Sequence, residues 1–305
     1  MRVPSMLRYT TLLLLLPLLV GCHPNYTILE HSDIKLPAGN EPSIMIEMFN
    51  GPITITTAQC KDITGQLTKR GVGEDKEAAE KEIEAIDFEN NVLDGRIIIK
   101  ARRIDGSKSW NSSGTEAVLQ VPAGSRIELV TSNGSIQLTG RNQGAKVKSS
   151  NGGVTLTNVQ GPIEVTTSNG AVRCTDVLGK AKVETTNASI ELKGRNMLLD
   201  CKSSNGSILF TGDLAAGEHK VITSNSFINA YLPQDSSLTV DASTSNGRIS
   251  NEFNLKSESQ GRKKKDNILK GTIGSGSTST TLQLRTTNSS IAIKKAKTKS
   301  VASAE

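Results

Sequence analysis

The sequence predicts an all-β chain: a two-sheet β-solenoid of about 18 residues per coil, with one short helical insert near its N-terminal end. Three observations predict it. The first is a phrase that returns on a fixed period, as TSNG at Thr131–Gly134, SSNG at Ser149–Gly152, TSNG at Thr167–Gly170, TTNA at Thr185–Ala188 and SSNG at Ser203–Gly206. Asn133, Asn151, Asn169, Asn187 and Asn205 therefore stand 18 residues apart, and a constant interval of that order marks a repeat architecture. The second is alternation. Three and five residues past each asparagine lie Ile136 and Leu138, Val154 and Leu156, Val172 and Cys174, Ile190 and Leu192, Ile208 and Phe210. Twelve and fourteen past lie Ala145 and Val147, Ile163 and Val165, Ala181 and Val183, Leu199 and Cys201. Apolar residues at period two, with Gln, Thr, Arg, Glu and Lys between them, describe strands with one buried face. The third is a single helical stretch, Glu74–Ile86, with Ala79, Ile83 and Ile86 along one face.

Each coil then holds two short strands whose centres are nine residues apart. A three-sided helix of hexapeptides would repeat its inward residues at six, so two facing sheets are expected rather than three. Seven residues past the asparagines sit Gly140, Asn158, Asp176, Gly194 and Gly212, all turn formers. The Asn-Gly corner permits positive φ. Stacked coils repeat at roughly 4.8 Å, which places Asn133, Asn151, Asn169, Asn187 and Asn205 where an amide ladder along one corner is expected. One coil buries about four apolar side chains at roughly 1.5–3 kcal/mol each, against an ordering cost of about 1–2 kcal/mol per residue. Coils are stable only when stacked.

Taken in order, residues 1–21 read as an export signal: Arg2 and Arg8 precede the apolar run Thr11–Val20, which is short for a membrane span. Its end, Leu19-Val20-Gly21-Cys22, resembles a bacterial lipobox. That resemblance implies cleavage before Cys22, lipidation of that cysteine and, with His23 rather than Asp next, delivery to the outer membrane rather than the inner. An ordinary secretory signal with a chance cysteine is the alternative. Residues 22–42 read as a polar tether, and the solenoid is expected over 43–293, opening with Ile44, Ile46 and Met48 before Asn50-Gly51. The helical insert 74–86 is expected to cap the first coil. A strand over Asn91–Ala101 and another over Ala117–Val121 follow, with Trp110 as an anchor in the loop between them. The asparagine interval loosens to 20 at Asn225 and to 21 at Asn246. Residues 252–276 read as a basic excursion containing Arg262-Lys263-Lys264-Lys265, the register returns at Leu282, Leu284, Asn288, Ile291 and Ile293, and residues 294–305 read as a disordered basic tail.

The run VLQVPAGSRIELVTSNGSIQL, the helical insert after the first coil and the closing GTIGSGSTSTTLQLRTTNSSIAI together resemble the bacterial putative-adhesin domain family. That is a domain of unknown function with a β-solenoid fold, and the resemblance covers roughly residues 43–293. It implies an extracytoplasmic solenoid and supplies no catalytic or ligand residues. Ala188, Ser226 and Ser289 depart from the pattern by replacing the corner glycine, as does the long gap from Asn246 to Asn288.

Chemistry-bearing motifs are sparse. Cys174 and Cys201 fall in core columns and are expected as free buried thiols, since facing sheets about 10 Å apart are too distant for a relaxed bridge. His23, His31 and His219 have no ligand spacing, so neither a metal nor a cofactor is expected. No phosphate loop, dinucleotide fingerprint or nucleophile elbow occurs. Exposed columns mix Gln137, Thr155, Arg173 and Glu191, unlike the clustered carboxylates of a glycosidase. The isoelectric point of 9.1 invites nucleic acid, but the export address and the 3% aromatic content argue against base stacking. The expectation is a non-catalytic envelope protein held to the membrane through Cys22, with an envelope glycan or another envelope protein as partner. A β-helix polysaccharide-degrading enzyme and a self-assembling scaffold are the alternatives.

Overall fold

The computed structural model describes residues 26–107, 112–257, 267–275 and 279–296. The signal 1–21, Cys22, Trp110, the Arg262–Lys265 run and the tail from 297 lie outside the described residues. The chain divides into two compact units, Met1–Val159 and Gln160–Glu305.

In the first unit the elements run β1 (Tyr26–Pro37), β2 (Ser43–Glu47), β3 (Ile53–Ala58), β4 (Asp62–Gly73), α1 (Lys76–Glu84), β5 (Ile86–Leu93), β6 (Arg96–Arg103), β7 (Gly114–Pro122), β8 (Arg126–Val130), β9 (Ile136–Thr139), β10 (Ala145–Lys148) and β11 (Val154–Thr157). Two rows of parallel strands form. One is ordered β6–β2–β8–β10 and the other β7–β3–β9–β11. Antiparallel strands cover one edge of each row: β5 on β6, and β4 on β7 with β1 beyond it.

The second unit contains β12 (Ile163–Thr167), β13 (Val172–Thr185), β14 (Ile190–Ser203), β15 (Ile208–Leu214), β16 (Gly217–Ile222), β17 (Ile228–Leu232), β18 (Leu238–Thr244), β19 (Ile249–Asn251), β20 (Leu255–Ser257), β21 (Ile268–Ile273), β22 (Thr280–Thr286) and β23 (Ile291–Lys295). Its rows are β12–β13–β14–β16–β22–β18 and β13–β14–β15–β17–β23–β19. The long strands β13 and β14 belong to both, because each passes a corner with a register shift. β21 lies antiparallel on β18 and carries β20 on its other side.

The predicted columns line the interior. Ile136, Val154, Val172 and Ile190 are each no more than 1% exposed, and Leu138, Leu156, Cys174, Leu192 and Phe210 are fully buried. The two-sided coil is therefore the fold of both units.

The phrase T/S–S/T–N–G divides its labour by position. The first residue is a buried hydroxyl. Ser149 Oγ, Thr167 Oγ1 and Ser203 Oγ accept the N–H of the glycine three residues on, at 3.1, 3.2 and 2.9 Å. Others reach the next coil, as Thr131 Oγ1 donates to the Gly51 carbonyl at 3.0 Å and Thr223 Oγ1 to that of Gly206 at 2.9 Å. The second residue offers its carbonyl to two N–H groups of a neighbouring coil, as Ser132 does for Ser150 and Asn151. The fourth is glycine for a reason other than φ. Of the corner asparagines and glycines only Asn50 has positive φ, at 52°. A Cβ on Gly152 would stand 1.8 Å from the Gly134 carbonyl oxygen, and one on Gly206 would stand 1.7 Å from that of Ala188. Close stacking excludes the side chain at those glycines, while Ala188, Ser226 and Ser289 carry one at the same position of their own corners. At the opposite corner Gly140, Asn158, Asp176 and Gly212 do adopt positive φ, whereas Gly194 does not.

Spatial order departs from chain order in each unit. The coil β2–β3 lies between β6–β7 and β8–β9. The last coil, β22–β23, lies between β16–β17 and β18–β19. The interval of 21 from Asn225 to Asn246 thus joins coils that are not neighbours, because Asn288 stands between them.

Several expectations are corrected. The tether 22–42 is a strand over Tyr26–Pro37, paired with β4 along its whole length; its polar residues alternate with Ile34 and Leu36, an edge pattern read as a linker. The stretch Asn91–Ala101 is a hairpin turning at Asp94-Gly95, with φ of 50° and 75°. The helix does not cap the first coil. It spans Lys76–Glu84, begins at the Asp75 N-cap, and packs on β4, where a Cβ on Gly71 would lie 2.3 Å from the Ala79 carbonyl oxygen. Ile86 starts β5 instead of ending the helix. The flanks of the excursion 252–276 are the paired strands β20 and β21. Lys294 and Lys295, the first residues of the expected tail, complete β23.

Candidate binding surface

The outward residues of the rows make the accessible surface of each unit. Asparagine amides mark one corner. In the first unit Asn133 Nδ2 donates to Asn50 Oδ1, and Asn151 Nδ2 to Asn133 Oδ1. In the second, Asn187 donates to Asn169 and Asn205 to Asn187, both at 2.7 Å, followed by Asn225 to Asn205, Asn288 to Asn225 and Asn246 to Asn288 at 2.7–2.8 Å. Asn133, Asn187, Asn205, Asn225 and Asn288 each give one amide bond and take another along the stack.

The strand faces are electrostatically mixed. Lys182 Nζ lies 3.1 Å from Glu164 across neighbouring coils, and Arg173 and Lys193 lie 3.1 and 2.9 Å from Glu191. The hydrogen bond from Lys193 draws the Glu191 carboxyl below its ordinary range, and Glu164 raises the Lys182 ammonium above its own. Among the described residues no group of three or more His, Cys, Asp or Glu is placed to hold a metal ion, and no helix is long and apolar enough to cross a membrane. Cys60, Cys174 and Cys201 are free; burial pushes the Cys174 thiol up to about 12 and raises Cys201 further. Those two are inert core residues.

Among the described residues, a groove on each unit interrupts the faces. The first, about 850 Å³, borders α1 and includes Lys81, Glu82, Arg103 and Asp105. Arg103 is saturated there: Nη1 lies 2.6 Å from Glu82 and Nη2 2.5 Å from Asp105, with only 6% of the side chain exposed. The guanidinium holds Asp105 down to about 2 and lowers Glu82. This triad pins the helix to the end of β6. The second groove, about 770 Å³, lies on the β15–β17–β23 face and is bordered by Thr211, Tyr231, Gln234, Glu252, Lys294 and Lys295.

Residues 42–294 match the family model described as Toastrack DUF4097. The chain belongs to this family. No curated protein matches it. Among solved structures it is similar to a putative cell adhesion protein from Clostridium sporogenes, at 12% identity over 89% of this chain and 100% of that one, with a TM-score of 0.29. It is also similar to a putative adhesin from Bacteroides fragilis, at 10% identity over 88% and 97%, with a TM-score of 0.28. Superposition that poor transfers no geometry, and the assignment rests on the family model.

Within this Toastrack domain the residue that periodicity overlooks is His219. The coil from Asn205 to Asn225 has 20 residues rather than 18, and the two extra fall between β15 and β16. Parallel pairing resumes only at Asp200–Lys220, leaving the Leu199 N–H without a ladder partner. His219 is fully buried and fills the gap. Its Nδ1 accepts the Leu199 N–H at 3.2 Å and its Nε2–H donates to the Ala215 carbonyl at 2.9 Å. Burial lowers its pKa, partly countered by the Ala215 carbonyl. The lengthened interval was the available signal, since an inserted residue pair must strand some backbone group.

Proposed function

We propose that this Toastrack protein is an exported, lipid-anchored cell-envelope protein whose solenoid is a non-catalytic, adhesin-like binding surface. The observation that carries the reading is the repetition of outward hydroxyl, amide and charged side chains from coil to coil, aligned in register by parallel pairing. Rows of weak donors and acceptors suit a partner that is itself repetitive, such as an envelope glycan, through many small contacts acting together. The lipobox-like run ending at Cys22 supports the anchor and the outer-membrane destination. End-to-end assembly is disfavoured, because β5 on β6, β4 on β7 and β21 on β18 each interrupt the parallel register that stacking would continue.

The test has two parts. Metabolic labelling with palmitate should mark the chain and fail for Cys22→Ala, with the unlabelled variant released from membranes. The immobilised chain should retain polysaccharide from envelope fractions without shortening it. Release of smaller products would favour the glycan-cleaving alternative, and retention of nothing would end the proposal.

A further inference from the structure

The groove on the outer face of β15, β17 and β23 differs from the rest of that surface in how its charges are held. Thr211, Tyr231 and Lys294 stand side by side on three neighbouring strands, by the pairings Thr211–Tyr231 and Tyr231–Lys294. Lys182, Lys193, Lys220 and Lys270 of the second unit sit beside carboxylates, whereas Lys180 and Lys202, like the groove lysines, form no ion pair among the described residues; what sets the groove apart is the aromatic support of its cations. Lys294 and Lys295 form no ion pair among the described residues; their ammonium groups rest over the rings of Tyr231 and Phe253 at 5.5 and 5.6 Å. An aromatic face steadies a cation without neutralising it. Both lysines border the groove, Lys294 with its ammonium over Tyr231 on the outer face and Lys295 at the strand's end with its own over Phe253, and neither charge is spent on an ion pair among the described residues. Beside them stands an acceptor, Glu252, whose Oε2 takes the Lys295 backbone N–H at 2.9 Å and leaves its other oxygen open to a donor. Gln234 and Thr211 add neutral donors and acceptors, and Leu209 and Ala296 give an apolar lining. At about 770 Å³ the groove is in the size range of small-ligand sites.

We propose that this groove binds an acidic polysaccharide, a chain whose sugars carry both a carboxylate and free hydroxyls. The lysines recognise the carboxylate by charge-assisted hydrogen bonds. Glu252 recognises a hydroxyl donor, which a bare phosphate or sulfate group lacks and which it repels. Tyr231 and Leu209 contact the less polar edges of the ring. The inference rests on the reading of the solenoid as a glycan-binding surface and names its ligand class.

The purified full-length chain is tested by biolayer interferometry on immobilised polygalacturonate, with dextran as the neutral surface and polyphosphate as a soluble competitor. Binding to polygalacturonate but not dextran is expected, lost in Lys294→Gln/Lys295→Gln and retained in the control Lys202→Gln/Lys220→Gln. Far-UV circular dichroism checks that both variants are folded, and Tyr231→Phe, which keeps the ring, should bind as the parent does. Equal loss in the two double variants would reduce the effect to net charge and overturn the site. Equal binding to dextran, or displacement by polyphosphate at matched charge, would overturn the ligand class. Failure on polygalacturonate while envelope polysaccharide is still retained would sink this inference alone; failure in both assays would sink the adhesin-like reading with it.

Discussion

His219 makes the stability of this solenoid depend on pH in a way that can be isolated. In the folded chain its ring is neutral, because the Leu199 N–H occupies Nδ1 and burial disfavours the imidazolium. In the unfolded chain it titrates near its ordinary value of about 6.5. A folded pKa below the unfolded one means stability that is fully present above that unfolded value and is lost as pH falls through the window between the two. Within the window the slope is about 1.4 kcal/mol per pH unit. If the folded ring stays neutral throughout, moving from about pH 7.5 to about pH 5.5 costs about 1.4 kcal/mol. The perturbation is His219→Leu, which removes the titration and leaves the Leu199 N–H and the Ala215 carbonyl unpartnered, at about 1–3 kcal/mol for each group. The variant should therefore be less stable than the parent near neutrality, and the gap should narrow as the solution is acidified. Guanidinium denaturation followed by circular dichroism across this range reads both effects. Carboxylates contribute equally to the two proteins, so the difference belongs to His219. Parallel pH profiles would refute the claim that a neutral, buried imidazole completes this coil.

Three further outcomes are expected. Asn187→Ala removes the amide bonds to Asn169 and Asn205, and because these groups are exposed the denaturation midpoint should fall by the equivalent of about 1 kcal/mol; no change would mean that water replaces the amides at no cost. A thiol reagent at mildly alkaline pH should label Cys60 in the folded chain while Cys174 and Cys201 react only after denaturation, as expected from burial and the upward shift of both core thiols; fast labelling of Cys174 would contradict its place in the core. Stopping the chain before Thr280 removes Leu282, Leu284, Ile291 and Ile293, all fully buried, a loss on the order of 6–12 kcal/mol that rivals a whole domain's stability. Limited proteolysis should then cut within β18 and β19, and a truncated chain as resistant as the parent would show that those strands close directly on β16 and β17.

The repeat itself was legible because its constraints are local. Period-two alternation decides which side chains point inward, and the fixed interval brings Ile136 beside Val154 and Val172 beside Ile190 with no further information. The candidate surface was legible only as columns of mixed side chains. That Lys294 and Lys295 lie over aromatic rings depends on Tyr231 and Phe253, which stand on other stretches of the chain and are brought to those lysines only by the fold. His219 likewise reads as one of three unremarkable histidines until the stranded Leu199 N–H is seen.

By itself, then, the sequence determined the coil: two strands, an inward column on each and an asparagine at the corner, while the hydroxyl clip and the reason for the corner glycine, an absent Cβ rather than positive φ, came from the structure. The tertiary structure decided the order in which coils stack. Every coil presents the same hydrogen-bonding edge, so any coil can dock on any other, and nothing in the local pattern says that Asn288 rather than Asn246 should follow Asn225. The choice is made by the antiparallel strands β4, β5 and β21, which take the outer edges and leave β2–β3 and β22–β23 only interior places.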